Sequence, residues 1–405
     1  MKYILIIPDG MGDVPVKSLG GKTPLEAAHT PNMDYFAAHG VVGLTQNIPK
    51  GFIPGTDIGS MSVFGYDPAK YFTGRGPLEA AVHGIRLGPG DLAFRCNLVT
   101  LEKDKLKDFS ADHVSLKEAR SLISAFDRLV QKKFKGKVRF YPGKGTGYRH
   151  LAIFANAGSA LSKVKCTPPH DIMGKPFEKY LPKDKDALFL NELMVLSRDF
   201  LSRHLLNQKR IEKGKGPANS IWLWGQGFPP DFPTYGKRFG LRGGVITAVD
   251  LLKGIAIHAG LRVIRVPGVT GYFDTNYVGK ALYAVNFLKK NDFVVIHVEA
   301  TDEAGHIGDA QLKIKAIEDV DKLVLGTLRE RMNGLGDYKV LLLPDHFTCV
   351  ATRTHSSDPV PFLAYSSANK KTGPEKFSEK SAKKSRLMVK EGHRLMELFV
   401  GGSLA

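Results

Sequence analysis

The chain has 405 residues, of which 43% are hydrophobic and 24% charged, a composition typical of a globular protein long enough for more than one domain. Its formal net charge is +18, but Lys and Arg are dispersed, which favours an enzyme that attracts a small anionic substrate over a nucleic-acid binder with one basic face. No apolar run reaches the roughly 18 residues of a membrane helix, no signal-peptide cleavage pattern follows the amino terminus, and the three separated cysteines form no CxxC pair. We therefore expect a cytoplasmic protein with no membrane or nucleic-acid partner, either a monomer or a homo-oligomer.

Continuous apolar runs predict buried β-strands, and amphipathic helical patterns separate the later ones. The strand runs are KYILIIPDG, NSIWLWGQG (219–227), LRVIRVPG (261–268), DFVVIHVEA (292–300) and YKVLLLPDH (338–346), and the helical patterns cover 243–260, 279–291 and 309–332. This alternation is typical of an α/β fold in which helices sandwich a mainly parallel sheet.

The middle of the chain has a different pattern. Three short β-like runs, FRCNLVT, KVRFYPG and YRHLAIF, surround one helix, SLKEARSLISAFDRLVQ. This pattern predicts a smaller α+β domain inserted into the first one. We therefore expect residues 1–87 and 179–405 to form the core and residues 88–178 to form the insert.

Metal-capable side chains lie at the ends of the predicted strands, where ligands bind in parallel sheets. In TDEAGHIGD (301–309) an Asp and a His stand four residues apart on one helical face. Three Asp and three His suit two divalent ions, and mixed carboxylate and imidazole ligation favours manganese or zinc over calcium. The six candidates are Asp9, Asp302, His306, Asp345, His346 and His355.

A hydroxyl that could react lies in another loop of the core. Thr56 follows Pro-Gly in IPGTDIGSMSVFGYDP (53–68) and opens a predicted helix. A hydroxyl at a helix amino terminus beside a metal ion can attack phosphorus. The alternative is that Thr56 only caps the helix.

Long motifs in the same order connect the chain with a known family. They include PDGMGD, LGGKTPLEAAHTPNMD, PGTDIGSMSVFGYDP, GRGPLEA, TPPHDI, HVEATDEAGHIGD and THSSDPVPF. With these motifs the chain resembles the archaeal-type, cofactor-independent phosphoglycerate mutases of the alkaline phosphatase superfamily, from residue 1 to about residue 400. The resemblance implies an alkaline-phosphatase-like core whose insert is a lid on the substrate side.

The resemblance also implies how the metal ligands divide. One ion would be held by Asp9, Asp345, His346 and the nucleophile oxygen of Thr56, and the other by Asp302, His306 and His355. Manganese is the expected metal, with zinc, cobalt and magnesium as alternatives, and no bisphosphoglycerate is needed.

The implied reaction is the interconversion of 3-phosphoglycerate and 2-phosphoglycerate in glycolysis and gluconeogenesis. Thr56 would take the phosphoryl group, and the glycerate would reorient and accept it on its other hydroxyl. The family usually has serine at position 56 and asparagine at position 60, whereas this chain has Thr56 and Ser60. Because the threonine methyl crowds the in-line path, these two departures leave the rate and the substrate open.

The same resemblance places catalytic candidates in the insert, and basic residues of the insert and the core are candidates for substrate binding on their chemistry alone. Asp112 and His113, in FSADH, fall where related mutases have an acid/base loop, although Asp112 could instead cap the following helix. Arg side chains could clamp the substrate carboxylate. Arg149 and His150 are neighbours in a strand, so at most one of them faces the substrate. The substrate-binding candidates are Arg75, Arg95, Arg149, His170 and Lys280.

Three alternatives to the mutase remain at this point. Some relatives serve as homoserine kinases, which would make ATP the donor, although the chain has no GxxxxGK[ST] loop. A looser insert would admit water and make the protein a metal-dependent phosphatase. A basic interaction protein with a degenerate site is the third alternative, and the complete set of six ligands argues against it.

Overall fold

The computed structural model describes residues 1–332 and 334–404. Its strands are β1 (Lys2–Pro8), β2 (Gly40–Thr45), β3 (Leu92–Glu102), β4 (Lys105–Asp108), β5 (Val138–Tyr141), β6 (Arg149–Phe154), β7 (Ser220–Gly227), β8 (Gly243–Ile246), β9 (Arg262–Val263), β10 (Phe293–Val298), β11 (Tyr338–Leu342), β12 (Phe347–Cys349), β13 (Thr354–Ser356), β14 (Val360–Ser366) and β15 (Met388–Val389).

The α-helices connect and cover these strands. They are α1 (Pro24–Ala27), α2 (Pro31–Ala38), α3 (Thr56–Val63), α4 (Pro68–Tyr71), α5 (Arg75–Val82), α6 (Leu116–Phe134), α7 (Ser159–Ser162), α8 (Leu188–Ser202), α9 (Leu205–Glu212), α10 (Tyr235–Phe239), α11 (Asp250–His258), α12 (Tyr277–Leu288), α13 (Ala300–Ile307), α14 (Ala310–Asp319), α15 (Gly326–Arg331), α16 (Glu379–Lys384) and α17 (Leu395–Val400). A π-helical segment, Val320–Leu325, joins α14 to α15, so the predicted helix over 309–332 is confirmed as one interrupted helix.

The chain divides into two compact units. The core unit consists of Met1–Phe72 and the residues from Asp231 onward, and the insert unit is Thr73–Pro230. The predicted insert, 88–178, is therefore too short at both ends.

The core unit contains a mainly parallel sheet, as the sequence predicts. Its strand order is β15-β2-β14-β11-β1-β10-β8-β9. The pairs from β11 to β9 are parallel, whereas β14 runs antiparallel to both of its neighbours. The four residues from Ile4 to Ile7 are all fully buried, so both faces of the central strand are covered. This explains why the residues of the strand are continuously apolar and do not alternate between apolar and polar.

The insert unit contains an antiparallel sheet of order β4-β3-β6-β5, and β7 pairs with β3. The apolar run at 219–227 predicts a strand of the core sheet, and this prediction is wrong. An apolar run shows that a strand is buried but does not identify its neighbour. Because β7 pairs with β3, the helices α8 and α9 that precede it also belong to the insert, which moves the unit's end from 178 to Pro230.

Two shorter elements also differ from the prediction. The pattern over 243–260 was taken as one helix, but its first residues form β8, paired with β10. The segment between His346 and His355, which no predicted element covers, forms the β12–β13 hairpin, in which Thr348 lies opposite His355. Among the described residues no helix is long and apolar enough to span a membrane.

Candidate active site

The six predicted metal ligands converge at the carboxyl edge of the core sheet. Asp9 follows β1, and Asp345 and His346 follow β11. Asp302 and His306 lie on α13, directly after β10, and β13 carries His355. The elements are far apart in sequence, and the parallel order of β10, β1 and β11 brings their ends together.

One group of ligand atoms forms around His346. Its Nε2 lies 3.5 Å from Asp9 Oδ1, 3.5 Å from Asp345 Oδ2 and 3.4 Å from the Thr56 hydroxyl oxygen. Both carboxylates and the imidazole are fully buried, and their ligand atoms lie within 4.8 Å of one another. This is the ligand set that the resemblance assigns to the first ion.

The second group forms around Asp302. Its two oxygens lie 3.2 Å from His306 Nε2 and 3.4 Å from His355 Nε2, and the two imidazole nitrogens are 3.0 Å apart. The other nitrogen of each ring is held by a backbone carbonyl, of Arg353 for His306 and of Pro54 for His355. Both rings are thus turned so that Nε2 points at the same carboxylate.

Two polar residues that the sequence analysis passed over adjoin the first group. His297 and Glu299 alternate at the end of β10, and their side chains come within 4.8 Å of Asp9. His297 Nε2 lies 2.9 Å from Asp9 Oδ2 and 3.6 Å from Glu299 Oε2. Two polar residues in an otherwise apolar strand, DFVVIHVEA, were the signal that could have identified them.

The hydrogen bonds around His297 determine its tautomer. Thr247 Oγ1 accepts from the backbone N–H of Val249, so its hydroxyl proton is available to His297 Nδ1, 3.0 Å away. The Nε2–H of His297 then donates to Asp9. Burial lowers the pKa of His297 to about 3, which keeps the ring neutral in this role.

Carboxylates crowd this part of the core. Burial, followed by repulsion from Asp345, raises the pKa of Asp9. Burial and the charge of Asp302 raise the pKa of Glu299 to about 8. For Asp302 burial acts to raise the pKa, but the hydrogen bonds from His306 and His355, together with the charges of nearby histidines, hold the pKa well below the usual range.

The closely spaced carboxylate oxygens and imidazole nitrogens are suitable ligands for divalent cations. Asp9 Oδ1 and Glu299 Oε2 are buried and lack hydrogen-bond partners among the described residues. Buried carboxylates are costly unless a hydrogen bond or a cation compensates them. Oxygen and imidazole ligands in this proportion suit manganese or zinc.

Thr56 is the first residue of α3, and Gly55 precedes it as the N-cap. Its hydroxyl is half-buried and faces His346. A Cβ on Gly59, one turn further on, would lie 2.7 Å from the carbonyl oxygen of Asp345. Glycine at position 59 therefore lets α3 approach the Asp345 backbone closely.

Two hydroxyl groups hold the ligands in place. Ser60 Oγ donates to Asp345 Oδ2 at 3.2 Å, which gives a contact for the serine that departs from the family pattern. Thr348 Oγ1 donates to Asp302 Oδ1 and lies 3.2 Å from His346 Nδ1, so it contacts a ligand from each group. Ser62 instead donates to the carbonyl of Asn47.

Lys280 is buried next to His297 and does not lie on the protein surface. It is 1% exposed, and its ammonium donates to the carbonyl oxygen of His297 at 2.6 Å. Burial lowers its pKa to about 8, and the charge of Glu299 opposes that shift. At this position its positive charge can balance the negative charge of buried carboxylates such as Glu299.

The other four substrate-binding candidates gather on the insert unit. Arg95 on β3 lies opposite Trp224 on β7, and its guanidinium stands 4.3 Å from the centre of the indole ring. Arg75 lies 6.0 Å from the same ring, and the His170 ring is 5.3 Å away. Burial lowers the pKa of His170, and the nearby charges of Arg75, Arg95 and Arg149 lower it further, although Asp171 opposes them.

The neighbours Arg149 and His150 point to opposite faces of β6, as expected. Arg149 is exposed and lies beside the Tyr148 ring, whereas His150 is buried. His150 Nδ1 accepts from the backbone N–H of Gly143 at 2.9 Å. Of this pair, Arg149 is therefore the one that can reach a ligand.

Asp112 and His113 lie in a turn with unusual backbone angles. Ala111, Asp112 and His113 have φ of 51°, 53° and 45°, so three consecutive non-glycine residues are left-handed. Asp112 accepts from the N–H of Gly216 at 3.1 Å, and both its side chain and that of His113 are exposed. The alternative role of Asp112 is excluded, because Ser115 caps α6. Strain of this kind often marks functional sites.

Sequence comparisons agree on one family. A family model described as 2,3-bisphosphoglycerate-independent phosphoglycerate mutase matches residues 37–207. The protein of that name from Methanosarcina acetivorans is 48% identical, with 99% of this chain and 100% of that protein covered. A probable enzyme of the same name from Geobacter sulfurreducens is 46% identical, with the same shares covered.

Solved structures show the same architecture. The PH0037 protein from Pyrococcus horikoshii has a TM-score of 0.83 and 31% identity over 99% of this chain and 96% of that one. The cofactor-independent phosphoglycerate mutase from Thermoplasma acidophilum has a TM-score of 0.68 and 29% identity, and both chains are covered completely.

Proposed function

The chain belongs to the family of 2,3-bisphosphoglycerate-independent phosphoglycerate mutases and interconverts 3-phosphoglycerate and 2-phosphoglycerate; we propose that it does so through a phosphothreonine at Thr56 and two divalent metal ions. One observation carries this proposal. The Thr56 hydroxyl lies beside a cluster of three Asp and three His in which Asp9, Asp302, Asp345 and His346 are buried, His355 is half-buried and His306 is exposed.

The residues divide between the two ions as the distances suggest. Asp9, Asp345 and His346 would hold one ion beside the Thr56 hydroxyl, and Asp302, His306 and His355 would hold the other. When bound, such ions lower the pKa of a nearby hydroxyl and neutralise the charge that develops on a transferred phosphoryl group. Manganese is the metal that the mixed ligands suit best.

Thr56 is the residue that would accept the phosphoryl group. Its hydroxyl stands at the amino terminus of α3, where the helix dipole favours a negatively charged group. Because the hydroxyl lies 3.4 Å from His346 Nε2, a divalent ion held by that nitrogen would lie beside it, lower its pKa and allow its proton to leave to water. The phosphoester formed on Thr56 is then attacked by the second hydroxyl of the glycerate.

The insert unit would bind the organic part of the substrate. Arg75, Arg95 and Arg149 offer guanidinium groups for the carboxylate, with His170 beside them. Asp112 and His113 are exposed titratable groups that can move a proton between the glycerate hydroxyls. Lys280 would keep the buried carboxylates of the core compensated, which differs from the direct phosphate contact expected from the sequence.

Phosphorus NMR on the manganese-loaded protein tests the proposal. With 3-phosphoglycerate we expect a 2-phosphoglycerate signal without free phosphate, and we expect Thr56→Ala to abolish it. Thr56→Ser is the matched control, because it keeps the hydroxyl and should retain turnover. Free phosphate alone would indicate a phosphatase, and phosphohomoserine formed only in a second sample with ATP and homoserine would indicate a kinase; either result contradicts the proposal.

A further inference from the structure

The cluster of basic groups on the insert surrounds one indole ring. Trp224 is 4% exposed, and its ring is approached by the guanidiniums of Arg95 and Arg75 and by the imidazole of His170. Trp224 also belongs to the apolar core cluster of the insert unit, so the indole contacts both this core and the basic groups.

The sheet register explains how these groups meet. Trp224 and Arg95 are direct cross-strand partners, so their side chains stand on the same face of the sheet. Arg149 on β6 is the partner of Asn97 on β3, two residues from Arg95 and therefore on that face as well. Residues of β7, β3 and β6 thus form a row across the sheet.

Both ends of the stacked pair are fixed. The indole Nε1–H of Trp224 donates to Asn97 Oδ1 at 3.0 Å, which sets the rotation of the ring. Arg95 Nη2 lies 2.9 Å from Glu79 Oε1, and both side chains are less than 10% exposed. A guanidinium held between a carboxylate and an indole face keeps one plane and one direction.

We propose that Trp224 is a positioning residue for substrate binding, because its ring face orients the guanidiniums of Arg95 and Arg75 toward the carboxylate or phosphate of a small phosphorylated acid. This inference rests on the proposed function. A planar guanidinium binds an anion through two parallel hydrogen bonds only when its plane is correctly oriented. Stacking on tryptophan fixes that plane, and the Arg95 guanidinium stands 4.3 Å from the ring centre.

The chain offers a matched control. It has two tryptophans, and the other one, Trp222, lies two residues earlier on the same strand. Its Nε1–H donates to the carbonyl of Thr167 at 2.8 Å and makes no bond to Asn97. Trp222→Phe therefore leaves Trp224 as the sole indole, and Trp224→Phe leaves Trp222.

Fluorescence and kinetics on the metal-loaded, full-length protein test the inference. On titration with 3-phosphoglycerate we expect a saturable change in indole emission for Trp222→Phe and none for Trp224→Phe. The KM for 3-phosphoglycerate should rise about 3-fold in Trp224→Phe, which keeps a ring face, and about 10-fold in Trp224→Leu, as the loss of roughly 1–2 kcal/mol implies. Trp222→Phe should keep the wild-type KM.

The melting temperature of each variant separates positioning from packing. If Trp224→Leu melts lower but keeps the wild-type KM, or if Trp222→Phe shows no emission change on a substrate that it turns over, the role of Trp224 is only structural and the inference is wrong. If the wild-type protein neither turns over nor binds 3-phosphoglycerate by calorimetry, the proposed function itself fails, and the inference fails with it.

Discussion

Ser60 illustrates how one hydroxyl can adjust a metal site. Its Oγ donates to Asp345 Oδ2 from one turn beyond Thr56, so the same helix carries the proposed nucleophile and a group that orients a proposed metal ligand. Hydrogen bonds to ligating carboxylates fix their direction and raise metal affinity. The departure from asparagine at this position therefore has a structural role that the motif comparison alone did not reveal.

Removing that hydroxyl should weaken metal binding. We expect Ser60→Ala to lower the affinity for Mn²⁺ about tenfold, because Asp345 loses an orienting partner. Calorimetric titration of the metal-free protein measures this change. Ser62→Ala is the control, since Ser62 lies on the same helix but donates to the carbonyl of Asn47 and to no proposed metal ligand. Equal affinities in the two variants would contradict the role of Ser60.

A second residue-scale effect concerns pH. His150 is buried, and burial lowers its pKa from 6.5 to about 3. Between these two values the unfolded chain binds a proton that the folded chain does not, so stability falls as the pH drops below 6.5.

The comparison with His150→Asn tests this expectation. The variant keeps an acceptor for the Gly143 N–H but cannot titrate. Between pH 6.5 and 4.5 the wild-type free energy of unfolding should decrease by about 2 kcal/mol more than that of the variant. Urea unfolding at several pH values measures both slopes, and parallel slopes would contradict the prediction.

At the scale of elements, the turn of residues 111–113 combines strain with exposed titratable groups. A left-handed backbone costs a residue with a Cβ roughly 1–2 kcal/mol. The turn is held from outside, since Arg210 Nη2 donates to the Ala111 carbonyl at 2.8 Å and Asp108 accepts from the Asp112 N–H at 2.6 Å. These contacts keep the Asp112 and His113 side chains at the surface.

Replacing His113 by glycine should relieve this strain and stabilise the fold. Mutase activity should still fall, because the imidazole is lost. Compared with His113→Ala, we expect His113→Gly to unfold with a free energy about 1 kcal/mol higher, because both variants lose the imidazole but only glycine accepts a φ of 45° without strain. Chemical denaturation measures the difference. Both variants should show the same loss of mutase activity, about 100-fold if His113 moves a proton; a larger loss in only one of them would indicate a role of the backbone.

At the scale of the whole molecule, the metal ligands all belong to the core unit and the basic cluster belongs to the insert unit. Each unit also has its own apolar core, with one cluster around β1 and β10 and another around β3 and α6. Bound metal ions should therefore stabilise the core unit, and an anion bound to the basic cluster should stabilise the insert unit.

Calorimetry with and without Mn²⁺ tests this division. Binding to the folded state stabilises it by about 2.7 kcal/mol per site at a metal concentration one hundred times Kd. We expect metal to raise the core transition and leave the insert transition unchanged, and EDTA to reverse the effect. Ser60→Ala should reduce the shift at a fixed metal concentration. An equal shift of both transitions would mean that the units unfold together.

The sequence by itself determined the class of fold and the grouping of the candidate metal ligands at one sheet edge. Apolar runs such as KYILIIP and YKVLLLP must be buried on both faces, which requires a helix-covered parallel sheet. The ends of parallel strands meet at one edge, so Asp9, Asp302 and Asp345 could be grouped before any coordinates were known.

Only the tertiary structure decided which strands pair and which polar groups support the ligands. Strand β7 joins β3 and not the core sheet, because pairing depends on register and on neighbours that local periodicity does not encode. For the same reason the contacts of His297, Ser60 and Trp224 could not be predicted, since each depends on a residue more than 100 positions away.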